Sequence, residues 1–192
     1  MSHQHAFTLV ITGPAGAGKS ATAEAWAQAQ SHPTAHVSLD TVREFLCAGY
    51  ADPRDGWTPE VDRQYQIARS LCADIARRYV SEGITCVIDD AVFPLWDRID
   101  FTSWRRVLGE TPAYLIALLP SYETVVERNA SRHGRRLLEP PLLRTIYDMM
   151  LPWREQRETP TIDTSSLSIS ETADEIARVP AHLRQTEKFG VR

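Results

Sequence analysis

Hydrophobic and polar positions fall along this chain in blocks whose lengths separate strands from helices. Five short runs are apolar or β-branched: Phe7–Thr12, Ala35–Leu39, Ile84–Asp89, Ala113–Leu119 and a brief Thr161–Asp163. Most are bounded by Pro, Gly or Asp, the residues that punctuate strands. Continuous apolar stretches such as Cys86-Val87-Ile88 and Tyr114–Leu119 predict strands covered on both faces, as in a parallel sheet. Helical stretches lie between them, at Ser20–Gln30, Thr41–Ala48, Pro59–Ser81, Leu95–Leu108, Tyr122–Ser131, Pro141–Trp153 and Glu171–Val179. This alternation predicts an α/β fold, a doubly wound five-stranded parallel sheet with helices on both faces. One domain is expected over residues 1–180, with a small lid at about 128–140 and a polar tail, 181–192, that frays.

In open α/β sheets the chemistry sits beyond the C-terminal ends of the strands, so the residues that follow each run carry the functional information. After the first comes Gly13-Pro14-Ala15-Gly16-Ala17-Gly18-Lys19-Ser20, which spells G-x-x-x-x-G-K-S between a strand and a helix. Small residues let consecutive backbone N–H groups curl around a phosphate, and the helix N-terminus adds its positive dipole end. Gly13 through Ala21 are therefore expected to hold the phosphates of a nucleoside triphosphate. Lys19 reaches the β- and γ-phosphates, and the Ser20 hydroxyl serves Mg²⁺.

After the second run comes Ser38-Leu39-Asp40-Thr41-Val42-Arg43. Asp40 reads equally as a helix N-cap and as the base that deprotonates an acceptor hydroxyl facing the γ-phosphate. Arg43, one turn on, can hold a substrate oxygen or lie solvated on the surface. The third run ends on Asp89-Asp90, where an acidic group normally reaches the Mg²⁺ shell. Neighbouring strand residues point opposite ways, so Asp89 is assigned to the metal and Asp90 to the substrate side. The stretch Arg128 to Arg136 carries four arginines; Arg128 and Arg132 share a helix face, and Gly134 can act as a hinge. That pattern reads as a lid bringing guanidinium groups onto the transferring phosphoryl group. Among the aromatics, Trp57 is the choice for an acceptor pocket because Asp52-Pro53-Arg54-Asp55-Gly56 places it in a polar loop.

Composition narrows the class. At 192 residues and 43% hydrophobic, the chain supports one buried core. A net charge of −4 and a pI near 5.9 give no broad basic surface for nucleic acid. No apolar run reaches membrane-spanning length, and the N-terminus lacks the order of a signal peptide. Cys47, Cys72 and Cys86 never fall in C-x-x-C and fit reduced thiols in a cytoplasmic protein. His32 and His36 are four residues apart, but Pro33 disfavours a helix there, so no metal pair is read.

The order of these features, from Gly13…Lys19-Ser20 through Ser38–Arg43 and Arg128…Arg132 to Ile162-Asp163-Thr164-Ser165, resembles small AAA-type P-loop kinases. Its relatives there include chloramphenicol phosphotransferase, gluconate kinase, zeta-toxin-like kinases and the kinase domain of polynucleotide kinases. The resemblance implies that Asp40 is the acceptor-side base, that the lid arginines, Arg128 among them, touch the nucleotide's phosphates, and that Thr164 lies near adenine. The leading expectation is an ATP- and Mg²⁺-dependent phosphotransferase acting on a small hydroxylated molecule, such as an antibiotic or another metabolite. Two alternatives stand beside it: a 5′-hydroxyl polynucleotide kinase, and a nucleotide-binding switch protein without an acceptor.

Overall fold

A computed structural model describes residues 6–179; the tail expected at 181–192 lies outside the described residues. The sheet contains β1 (Thr8–Thr12), β2 (Thr34–Ser38), β3 (Thr85–Asp89), β4 (Ala113–Leu118) and β5 (Thr161–Ile162). Every pairing is parallel and the strand order is β2-β3-β1-β4-β5. The helices are α1 (Lys19–Gln28), α2 (Leu39–Arg43), α3 (Pro59–Ser81), α4 (Phe101–Leu108), α5 (Tyr122–Ala130), α6 (Pro140–Met150) and α7 (Ile169–Arg178). This is the α/β architecture that the apolar runs predict, with β1 and the loop that follows it at the centre.

Both faces of the sheet are buried, and the two-residue period of a strand divides the core into two layers. Leu9 and Ile11, Val87, and Ile116 and Leu118 pack with Ala23 and Trp26 of α1 and Ala173 and Ile176 of α7. Val10, Cys86 and Ile88, and Leu115 and Ala117 point the other way, onto Tyr65, Ala68, Cys72 and Ala76 of α3 and Trp104 and Leu108 of α4. The central strands β1, β3 and β4 therefore read as nearly unbroken apolar runs although each side chain serves one layer only.

Three helices differ from the sequence expectation by three residues or more at one end, each for a local reason. The helix expected at Leu95–Leu108 starts at Phe101, because the chain turns through Trp96–Ile99 (Ile99 N donates to Trp96 O, 2.9 Å). The Asp100 carboxylate then caps the first turn by accepting from Ser103 N at 2.7 Å. The helix expected at Thr41–Ala48 spans only Leu39–Arg43; the exposed stretch 44–49 beyond it has no apolar stripe to bury. Pro152 follows α6, which passes into a 3-10 turn at Leu151–Glu155. Among the described residues, no helix is long and apolar enough to cross a membrane.

Candidate active site

The loop between β1 and α1 is built by backbone geometry. Gly13, Gly16 and Gly18 adopt φ of +147°, +83° and +92°, conformations that favour glycine. A Cβ on Gly13 would stand 2.2 Å from the backbone oxygen of Leu118, and one on Gly16 2.9 Å from that of Val125. The loop is thus pressed against the end of β4 and against α5, which fixes its curvature. Gly13→Ala is expected to cost about 2 kcal/mol of stability or more, read as a lowered urea midpoint. No side chain caps α1, whose N-cap is Gly18, so its first-turn amides are open to an anion. Lys19 Nζ donates to the carbonyls of Gly13 (2.9 Å) and Pro14 (3.2 Å), which holds the ammonium across the mouth of the loop. Ala15 packs beside Val125, Leu143 and Tyr147, and Ala21 lies exposed one turn into α1.

Asp89 ends β3 beside this loop, with its carboxylate buried. Its Oδ1 accepts from Ser20 Oγ at 2.7 Å and from Ser38 Oγ at 3.3 Å, and its Oδ2 lies 2.7 Å from His36 Nε2. The β2–β3 register pairs Ser38 with Asp89 and His36 with Val87, so alternate positions of β2 present both polar side chains to the same carboxylate. A hydroxyl and a carboxylate side by side are hard oxygen donors, the set that suits Mg²⁺.

Asp40 stands in the first turn of α2 with its side chain exposed, just past the end of β2. Desolvation by the surrounding protein raises its carboxyl above the ordinary carboxylate range, and the Lys19 ammonium opposes the shift. Lys19 is displaced in the opposite sense: desolvation lowers it, and Asp40 and Asp89 pull it back. Arg132 is lowered by desolvation and raised by the charge of Asp40, and it in turn depresses Lys19. Two cations and a carboxylate therefore act on one another across the cleft, although they come from three separate segments. The segment expected to form a lid, which carries Arg132, is clipped at its base: the buried Asn129 donates Nδ2 to Leu138 O (2.8 Å) and accepts Leu138 N on Oδ1 (3.1 Å).

Arg128 lies elsewhere. Its guanidinium donates to Thr164 O (2.8 Å) and Thr164 Oγ1 (3.3 Å), and the Thr164 hydroxyl reaches Ala17 O at 3.4 Å. It flanks the phosphate loop together with Thr164, and since α5 ends at Ala130 the expected helix face shared by Arg128 and Arg132 is not formed. Two expectations for the acceptor side need correction. Arg43 is buried; it donates to Ala51 O (3.1 Å) and lies over the rings of Tyr50 and Tyr65, so its guanidinium is spent on holding the loop. Asp90 is also buried; its Oδ2 accepts from Arg69 Nη2 (3.0 Å) and Trp104 Nε1 (2.8 Å) on the α3–α4 face of the sheet, which removes it from the substrate side. Trp57 is half-buried between Tyr65 and Trp96, with ring centroids at 5.1 and 4.6 Å, and its Nε1 has no partner.

The AAA domain profile matches residues 9–144, more than two thirds of the chain. The chain belongs to the AAA domain family. The match takes in the phosphate loop, Asp40, Asp89 and the lid, while Thr164 lies beyond it. No curated protein matches the sequence. Among solved structures, this AAA domain is similar to a gluconokinase from Sinorhizobium meliloti 1021 (19% identity over 93% of this chain and 96% of that one, TM-score 0.64). It is similar also to the shikimate kinase of Acinetobacter baumannii solved with shikimate (15% identity, 93% and 94% coverage, TM-score 0.62). A third is the tunicamycin resistance protein of Deinococcus radiodurans (18% identity, 90% and 94% coverage, TM-score 0.62). At such identities the likeness speaks for the fold, that of P-loop kinases.

Two residues of the AAA domain's site escape a reading of motifs. His36 braces Asp89, and the signal for it is the strand period that puts it on the same face as Ser38. Asn129 clips the lid, and nothing in its sequence neighbourhood marks it.

Proposed function

We propose that the chain is an ATP- and Mg²⁺-dependent phosphotransferase that moves the γ-phosphoryl group of ATP to a hydroxyl of a small molecule. One observation carries the reading: Asp40 follows β2 at the same end of the parallel sheet at which the phosphate loop follows β1, and its carboxyl, raised above the ordinary range, feels the charges of Lys19 and Arg132. Ser38, not Asp40, is the N-cap of α2, so capping does not account for the carboxylate. The loop Gly13–Ser20 binds the phosphates, Lys19 and Arg132 offset charge on the γ-phosphoryl, and Arg128 and Thr164 bound the nucleotide side. Asp40 accepts the proton of the acceptor hydroxyl as its oxygen attacks the γ-phosphorus; the bond to the β–γ bridging oxygen breaks, and ADP leaves. Mg²⁺ would be held by Ser20 and Asp89, where it neutralises charge on the β- and γ-phosphates.

His36→Ala is expected to leave the fold intact and to raise the Mg²⁺ concentration for half-maximal ADP release by about 10-fold, because a carboxylate that loses its brace binds metal less well. A Mg²⁺ titration at saturating ATP measures it. The proposal itself is tested by ADP release across sugars, phenicols, aminoglycosides, nucleosides and a 5′-hydroxyl oligonucleotide. Stimulation by one small molecule, with its phosphorylated product seen by mass, is the expected result. A response confined to the oligonucleotide would make the chain a polynucleotide kinase. Tight ATP binding with no stimulation by any hydroxyl compound would leave the switch reading.

A further inference from the structure

Tyr50 lies in the stretch between α2 and α3, and no motif points to it. Two guanidinium groups lie over its ring, Arg43 at 4.8 Å and Arg135 at 4.4 Å from the centroid. Arg43 lies in turn 4.5 Å over the ring of Tyr65. The four side chains form an alternating ladder, Tyr65–Arg43–Tyr50–Arg135, rooted in the core and ending on the lid. The root is firm: Tyr65 and Arg43 are both buried, and Arg43 is further tied to Ala51 O. A buried arginine whose Nε finds no partner is costly to keep, and the stack gives it a use.

The lid has little else to hold its tip. Residues 133–137 are exposed, and nothing lies within 4 Å of the place a Cβ on Gly134 would take. The other contacts across the seam are long and exposed: Arg54 Nη1 to Gly134 O at 3.5 Å, and Arg136 to Glu44 at 4.0 Å. Such surface contacts contribute little, whereas a guanidinium over a half-buried ring is attracted by the ring's quadrupole and is screened less by water. Arg132 sits between the Asn129–Leu138 clip and the Arg135 contact, so its reach into the cleft depends on both anchors.

We propose that Tyr50 is a positioning residue that docks Arg135 and thereby holds the lid down, so that Arg132 stands over the phosphoryl group during transfer. The catalytic consequence rests on the phosphotransferase reading; the docking does not. The stretch that carries Tyr50 and the lid then close as one unit.

The test compares wild type with Tyr50→Ala, Tyr50→Phe and Arg135→Gln. Backbone hydrogen exchange of residues 131–137 is followed with Mg²⁺ and a non-hydrolysable ATP analogue, and ADP release is measured in parallel. Tyr50→Ala and Arg135→Gln are expected to speed lid exchange by about tenfold and to lower kcat while KM for ATP stays put. Tyr50→Phe keeps the ring face and should behave as wild type. Arg135→Gln alters an exposed side chain, so it keeps the test decisive if Tyr50→Ala folds poorly. Lid exchange unchanged in Arg135→Gln, or Tyr50→Phe as open as Tyr50→Ala, overturns the proposal. A wild-type protein that shows the exchange pattern but releases no ADP with any acceptor overturns the phosphotransferase reading and leaves the docking standing.

Discussion

Asp40→Asn should abolish most turnover while leaving nucleotide binding almost untouched. Removing a positioned base costs about 10²–10⁴-fold in rate, and the loss should fall on kcat, because Asp40 does not belong to the phosphate loop. Isothermal titration with an ATP analogue, beside steady-state ADP release with an active acceptor, separates the two quantities. The pH profile gives a second check. Asp40 must be ionised to accept a proton, so kcat/KM should fall on the acid side through a pKa above the ordinary carboxylate value, and that limb should vanish in the variant. Stability has its own sign. The raised folded-state pKa means that protonated Asp40 favours folding; this contribution is complete below the unfolded-state value and is lost as pH rises through the folded one. At neutral pH the ionised group therefore opposes folding, and asparagine in its place should melt no lower than wild type. A variant that turns over acceptor normally would remove Asp40 from the role of base.

Asp90→Ala should do the reverse and damage the fold. Asp89 and Asp90 are neighbours in sequence, yet they face opposite sides of the sheet. Asp90 accepts from Arg69 and from Trp104, and both partners are buried. Deleting the carboxylate leaves the Arg69 guanidinium charged and without its counterion, which costs about 3–5 kcal/mol. Urea unfolding should show that loss as a lowered midpoint. Arg69→Met combined with Asp90→Leu removes both charges and should recover much of it. Similar stability of Asp90→Ala and wild type would show that the pair carries no such weight.

What could be read from the sequence followed the range of the contacts involved. The phosphate loop is a local object, since spacing, strand before and helix after are all contiguous, and its residues needed no tertiary information. The central strands β1, β3 and β4 were legible because burial on both faces removes most polar residues from them. Arg69 left a trace that went unused: it stands among Tyr65, Ala68, Cys72, Ala73 and Ala76 on the buried stripe of α3, a place where a charge needs a partner. Asp90 and Arg43 could not be sorted by pattern, because whether a polar residue at a strand end or in a first turn faces the cleft or the core depends on neighbours distant in sequence. The raised carboxyl of Asp40 is of the same kind, being a property of three segments that only folding brings together.

The clip made by Asn129 has a bearing on how such a protein changes over time. Because one buried side chain holds Leu138 by both its amide and its carbonyl, the residues between them leave the body of the molecule and return to it at a single point. They are attached as a handle is to a cup. Apart from Arg132, which feels the charge of Asp40, and Arg135, which lies over Tyr50, their number and chemistry can drift without disturbing sheet or phosphate loop.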